Sequence, residues 1–127
     1  MSSKSPLGRA LGLGVVSGTH HWWLQRVTAL ALALLGPWFA ISLLLQPKLD
    51  YAHAHAWLAA PLNAVLMLMF VPVLVYHSWL GVVVVIEDYV PVTSNKLTAL
   101  LVVQFLHFVT GVVALYGVLK VALGSAA

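Results

Sequence analysis

The segment YHSWLGVVVVIEDYVP, residues 76–91, joins an apolar run to a dense group of reactive side chains. His77 stands inside the run, and Glu87, Asp88 and Tyr89 close it. The chain has only three carboxylates, so two of them beside one tyrosine mark this end of the run as special. A neutral imidazole in apolar surroundings suits three chemistries: ligation of a haem iron, relay of a proton, or a hydrogen bond between helices. The tyrosine and carboxylates suit recognition of a quinone. A tyrosine hydroxyl donates to a quinone carbonyl, and a carboxylate orients a basic neighbour or relays a proton. The plainer reading of the same carboxylates is a stop signal where a helix meets water.

Spacing relates these groups. Asp88 follows His77 by 11 residues. On a helix that returns it to within roughly 20° of the same face, about 16 Å along the axis. Gly81 lies at i+4 from His77, again on that face. A missing side chain there admits a flat macrocycle, or simply another helix. Arg26 opens the first apolar run. It either anchors that helix by snorkelling or pairs with Asp88, a haem propionate or a quinone oxygen. His107 repeats the His-x-x-x-Gly pattern with Gly111. Spacing alone therefore leaves an alternative, a self-contained bis-histidine cytochrome b-type subunit using His77 and His107. His20, His21, His53 and His55 fall outside the apolar runs.

The elements that must position these groups follow from composition. The chain has 127 residues, 62% of them hydrophobic and 7% charged, with mean hydropathy +1.02. Soluble domains carry roughly 25% charged residues. The expected fold class is all-α, an integral membrane protein with three transmembrane helices. Residues 27–45, 57–86 and 97–119 are runs of 19, 30 and 23 residues without a formal charge. About 20 residues cross a bilayer as a helix, and a barrel strand would show alternation instead. The reading is an N-terminal arm over 1–21 and a three-helix membrane domain over 22–127, with helices about 24–46, 57–88 and 97–120. The opening WLAAPLNA of the second run, with Pro61 and Asn63, is read as interfacial or as a tilted extension. Lys4, Arg9, Arg26 and Lys96 outweigh Lys48 and Lys120, which places the N-terminus and the loop over 87–96 in the cytoplasm. Three helices cannot screen interior polar groups from lipid on every side, so partner helices are expected in a larger bundle. The absence of cysteine excludes disulfides and thiolate-held clusters, and a net charge of +3 is too small and scattered to indicate nucleic acid.

THHWWLQRVTAL and YHSWLGVVVVIEDYV together resemble the hydrophobic membrane-anchor family of succinate dehydrogenase (complex II), in its bacterial, ubiquinone-reducing form. The second motif is the more specific: H-x-W-x-G, six residues, then D-Y. The resemblance spans about residues 18–123. It implies that His77 is an axial, metal-binding ligand of haem b, shared with a companion anchor protein of cytochrome b type that supplies the second ligand. It implies that Tyr89 contacts ubiquinone as substrate, that Asp88 supports that site, and that Arg26 lies near haem and quinone. It further implies partnership with an iron–sulfur and a flavoprotein subunit at the bacterial inner membrane. The chain itself holds no nucleotide fingerprint and no cluster cysteines, so no catalytic residue for succinate is assigned to it. A transporter or scaffold protein without cofactor is the rival from another class.

Overall fold

The computed structural model describes residues 18–124; residues 1–17 of the arm lie outside that range. Four helices follow in order: α1 (Gly18–Leu44), α2 (Tyr51–Ala59), α3 (Pro61–Tyr89) and α4 (Thr93–Gly124). No strand occurs among the described residues. α1, α3 and α4 are each long and apolar enough to cross a membrane. Their 27, 29 and 32 residues give roughly 40 to 48 Å of helix at 1.5 Å per residue, more than the roughly 30 Å hydrocarbon core. The nine residues of α2 make only about 14 Å and cannot span.

The elbow between α2 and α3 is a consequence of Pro61. A residue before proline is pushed out of the α region, and Ala60 is extended at φ −64°, ψ 128°. Proline itself suits the first helical position, where its missing N–H removes no bond. Ala60 thus ends α2 and starts α3, with its carbonyl accepting from Ala64 N–H at 2.9 Å. Asn63 closes the corner by donating Nδ2–H to the Trp57 carbonyl at 2.8 Å. Residues 57–60 therefore belong to a separate short helix and its cap, not to the head of the second span. At its other end α2 is capped by Asp50, whose carboxylate accepts from His53 N–H at 2.9 Å and lies 2.7 Å from His53 Nδ1. α1 starts at Gly18, so His20 and His21 lie in the first helix and not in an arm preceding it.

α3 is the middle helix. It packs on α1 and on α4, while the backbones of α1 and α4 do not come together. Among the described residues, five of the six buried apolar ones are on α3: Ala64, Phe70, Val71, Leu80 and Ile86. The remaining one is Val118 of α4. Phe39 of α1 stacks on Phe70 at 5.0 Å, and Trp38 stacks on Trp57 at 5.9 Å, which ties the far ends of α1, α2 and α3 together. An open layer of this kind leaves broad apolar faces. In lipid such faces carry no penalty, so they are available to tails or to partner helices.

Candidate functional site

Neighbouring residues on α3 face different helices, because each step turns the chain by about 100°. His77 is directed to α1 and Ser78 to α4. His77 Nδ1 lies 2.9 Å from Thr28 Oγ1. Thr28 is the one buried polar residue of the described chain, and its hydroxyl also lies 2.7 Å from the Leu24 carbonyl and 3.2 Å from that of Gln25. The other ring nitrogen of His77, Nε2, makes no hydrogen bond among the described residues.

His107 on α4 is held differently. Its Nδ1 donates to the Val103 carbonyl at 2.8 Å, because a carbonyl can only accept. Its Nε2 then carries the lone pair and accepts from the Ser78 hydroxyl at 3.2 Å. Both nitrogens are engaged within the chain.

The two glycines at i+4 differ in the same sense. A methyl group at Gly111 would meet Val75 Cγ1 at 3.5 Å, an ordinary apolar contact with α3. A methyl group at Gly81 would meet only Gln25 Nε2, at 3.9 Å. Gln25 in turn leaves its Oε1 buried without a partner, and His21 does so with Nε2. His21, Gln25 and Thr28 recur at i, i+4 and i+7, so one face of α1 carries a polar stripe against the His77–Gly81 face of α3. Buried orphan groups of this type are rare and costly.

At the end of α3, Glu87, Asp88 and Tyr89 are all exposed. Tyr89 keeps 80% of its surface open. The last turn closes through Val90 N–H to the Ile86 carbonyl at 3.1 Å, and Lys96 Nζ donates to the Glu87 carbonyl at 2.7 Å. Arg26 stacks its guanidinium over Trp22, 5.3 Å from the ring centroid. Among the described residues it forms no ion pair with Asp88; the single ion pair is Asp50–His53. The chain therefore brings His77 and Gly81 to one face of α3, and it does not join Arg26, Asp88 and Tyr89 into a closed pocket.

The family described as succinate dehydrogenase/fumarate reductase transmembrane subunit matches residues 1–114. The chain belongs to that family. It is 40% identical over 95 residues to the succinate dehydrogenase hydrophobic membrane anchor subunit of Rickettsia conorii, covering 74% of this chain and 75% of that one. The protein of the same name from Rickettsia prowazekii is 37% identical over 103 residues, covering 79% and 82%. That of Paracoccus denitrificans is 30% identical over 122 residues, covering 95% and 94%. Membership of a transmembrane family and three membrane-length helices make this a multi-pass membrane protein with an anchoring role.

Within this anchor-family chain, no group of three or more His, Asp or Glu side chains converges among the described residues. A groove of about 400 Å³ does exist, but it lies on the α4 side of α3, lined by Pro72, Tyr76, Trp79, Gln104 and His107, and His77 does not line it. Sequence reasoning missed Thr28, Gln25 and His21. The 21, 25, 28 spacing was the available signal. It was obscured because a threonine in an apolar helix ordinarily satisfies itself on the i−4 carbonyl, which gives no sign of a partner across the bundle.

Proposed function

We propose that this chain is the membrane anchor of a bacterial succinate:ubiquinone oxidoreductase, lying in the inner membrane with its N-terminus in the cytoplasm. It holds the flavoprotein and iron–sulfur subunits at the EDY end, where exposed Glu87, Asp88 and Tyr89 leave an incomplete polar site for partners to close. His77 would hold haem b through Nε2, and the companion anchor protein would supply the second protein ligand. The observation that carries this reading is an imidazole tethered through Nδ1 with Nε2 unengaged, beside a glycine whose open side only Gln25 approaches. Neutral imidazole with its second nitrogen hydrogen-bonded is the usual form of a metal-ligating histidine. Haem b, when bound, supplies a reversible one-electron carrier. The chain's own residues do the rest: Tyr89 donates its hydroxyl hydrogen to a ubiquinone carbonyl, Asp88 orients a basic neighbour, and Gly81 leaves room beside the ligand. Arg26 lies on the first helix toward the same end, free to leave Trp22 for a carboxylate or quinone oxygen.

The bis-histidine alternative finds less support, since His107 has both nitrogens committed to Val103 and Ser78. The test is His77→Ala in the complex purified with its partners. Loss of the haem Soret band with the partners still co-purifying is expected. A retained, unshifted band would overturn the ligand assignment.

A further inference from the structure

We infer that Thr28 is a positioning residue for His77, setting the tautomer in which the ring's lone pair stands on Nε2. The inference rests on the haem reading above and adds to it a residue of α1 that lies within THHWWLQRVTAL but was given no role there.

The argument is a hydrogen count. The Thr28 hydroxyl has one hydrogen and three neighbours: the Leu24 carbonyl at 2.7 Å, the Gln25 carbonyl at 3.2 Å and His77 Nδ1 at 2.9 Å. Two oxygens only 2.7 Å apart need a hydrogen between them, and that distance is the usual length of an O–H···O bond. A carbonyl has none to give, so the hydrogen is the threonine's. The hydroxyl oxygen is then left with lone pairs alone toward His77, and Nδ1 must be the donor. A neutral imidazole protonated at Nδ1 carries its lone pair at Nε2. The opposite assignment, with the hydroxyl donating to Nδ1, would put a hydrogen on Nε2 and block ligation. It would also leave the Leu24 and Thr28 oxygens in unrelieved contact.

The arrangement is a relay of acceptors: the Leu24 carbonyl holds the hydroxyl, and the hydroxyl holds the ring N–H. Outer hydrogen bonds of this type fix ring orientation and raise ligand basicity, and removing them typically costs about 10- to 100-fold in metal affinity. Burial of Thr28 strengthens the case, because at 9% exposure its hydroxyl has little water to bond in place of Leu24 and His77. His107 provides the internal contrast, since its relay runs to a backbone carbonyl and its Nε2 is consumed by Ser78.

The experiment compares Thr28→Val, which keeps shape and loses the hydroxyl, with Thr28→Ser, which keeps the hydroxyl, in the complex purified with its partners. Haem retention against apomyoglobin as a competing acceptor, the ferric haem spectrum by electron paramagnetic resonance, and the haem midpoint potential are read for each. Thr28→Val should assemble, release haem about 10- to 100-fold more readily, alter the ferric spectrum and raise the midpoint potential as ligand basicity falls. Thr28→Ser should match the parent on all three. Equal behaviour of both variants and the parent overturns the inference, as does Thr28→Ser failing to the same degree as Thr28→Val, which would assign the role to the methyl group. Should valine prevent assembly, Thr28→Ala set against Thr28→Ser poses the same question. His77→Ala separates the two levels. If it keeps haem unchanged, the ligand assignment has failed; if it loses haem while Thr28→Val is indistinguishable from the parent, only the positioning role has failed.

Discussion

His77 and His107 sit at similar depth in neighbouring helices, each followed four residues later by glycine, yet their surroundings assign them opposite roles. Around His107 both ring nitrogens have partners in the chain, although the groove of about 400 Å³ opens beside it. Val103 and Ser78 take both ring nitrogens, and Gly111 receives Val75. Around His77 the chain is half complete. Thr28 takes one nitrogen, the other is unengaged, and Gly81 faces no close packing. Two identical spacing patterns thus describe an internal helix contact in one case and an invitation to an outside group in the other. The lesson is that a membrane histidine is read by what its second nitrogen does.

The sharpest way to break this comparison is to exchange the histidines' fates. Whereas His77→Ala is expected to abolish haem binding, His107→Ala should leave the Soret band at full intensity; the reverse pattern in the purified complex would invert the comparison. Next come the glycines. Gly81→Val should leave the chain inserted, because only the Gln25 amide lies near it, but should weaken haem retention by about 1–3 kcal/mol through overpacking of the shared space. Gly111→Val should leave haem intact and loosen the α3–α4 pair instead, seen as a lower melting temperature in detergent.

Tyr89→Phe removes one exposed hydroxyl at the EDY end of α3. Loss of a single hydrogen bond is worth about 0.5–1.5 kcal/mol. Quinone reduction is therefore expected to slow roughly 2- to 12-fold, with haem content unchanged; unaltered kinetics would remove the hydroxyl from the site. Ser78→Ala touches only the His107 side. Interhelical hydrogen bonds in membranes average about 0.6 kcal/mol, so a small loss of thermal stability without any change in haem or quinone kinetics is expected.

The smallest effect lies outside the spans. Asp50 caps α2, and the His53 backbone N–H, followed by the His53 side chain, holds its carboxyl below the ordinary 3.8. A lowered folded value means the cap contributes fully above the unfolded value and is lost as pH falls through the folded one, below 3.8. Protection of the Tyr51–Ala59 amides, relative to the intrinsic exchange rate at each pH, should fall over that acid range, and Asp50→Ala should lower protection above it and remove the pH-linked loss. Neither change should reach His77.

Much of the architecture was legible in the chain. Runs of 19, 30 and 23 uncharged residues leave few alternatives to membrane-length helices, because unpaired backbone groups are intolerable in hydrocarbon. The stripe from His77 through Gly81 toward Asp88 followed from helical period alone. The short α2 was not legible as a helix of its own, since the apolar run passes through residues 57–60 without a charge. Pro61 was visible, but its effect depended on Ala60 turning extended and Asn63 bonding back to Trp57. Arg26 and Asp88, joined on paper by charge, stay apart within the chain: Thr28 is level with His77, which puts Arg26 about 3 Å and Asp88 about 16 Å along the axis from that level.

Composition and period by themselves determined that three helices are long and apolar enough to cross and which residues share a face, because these depend on local backbone geometry and on lipid as solvent; their ends were not determined, and α3 and α4 begin at Pro61 and Thr93. Only the tertiary structure decided which histidine keeps a free nitrogen. That outcome turns on a threonine 49 residues away in sequence and on the packing of α1 against α3. A hydrogen bond across helices depends on their approach and rotation, and one helix's sequence carries no record of the side chain that another helix presents to it.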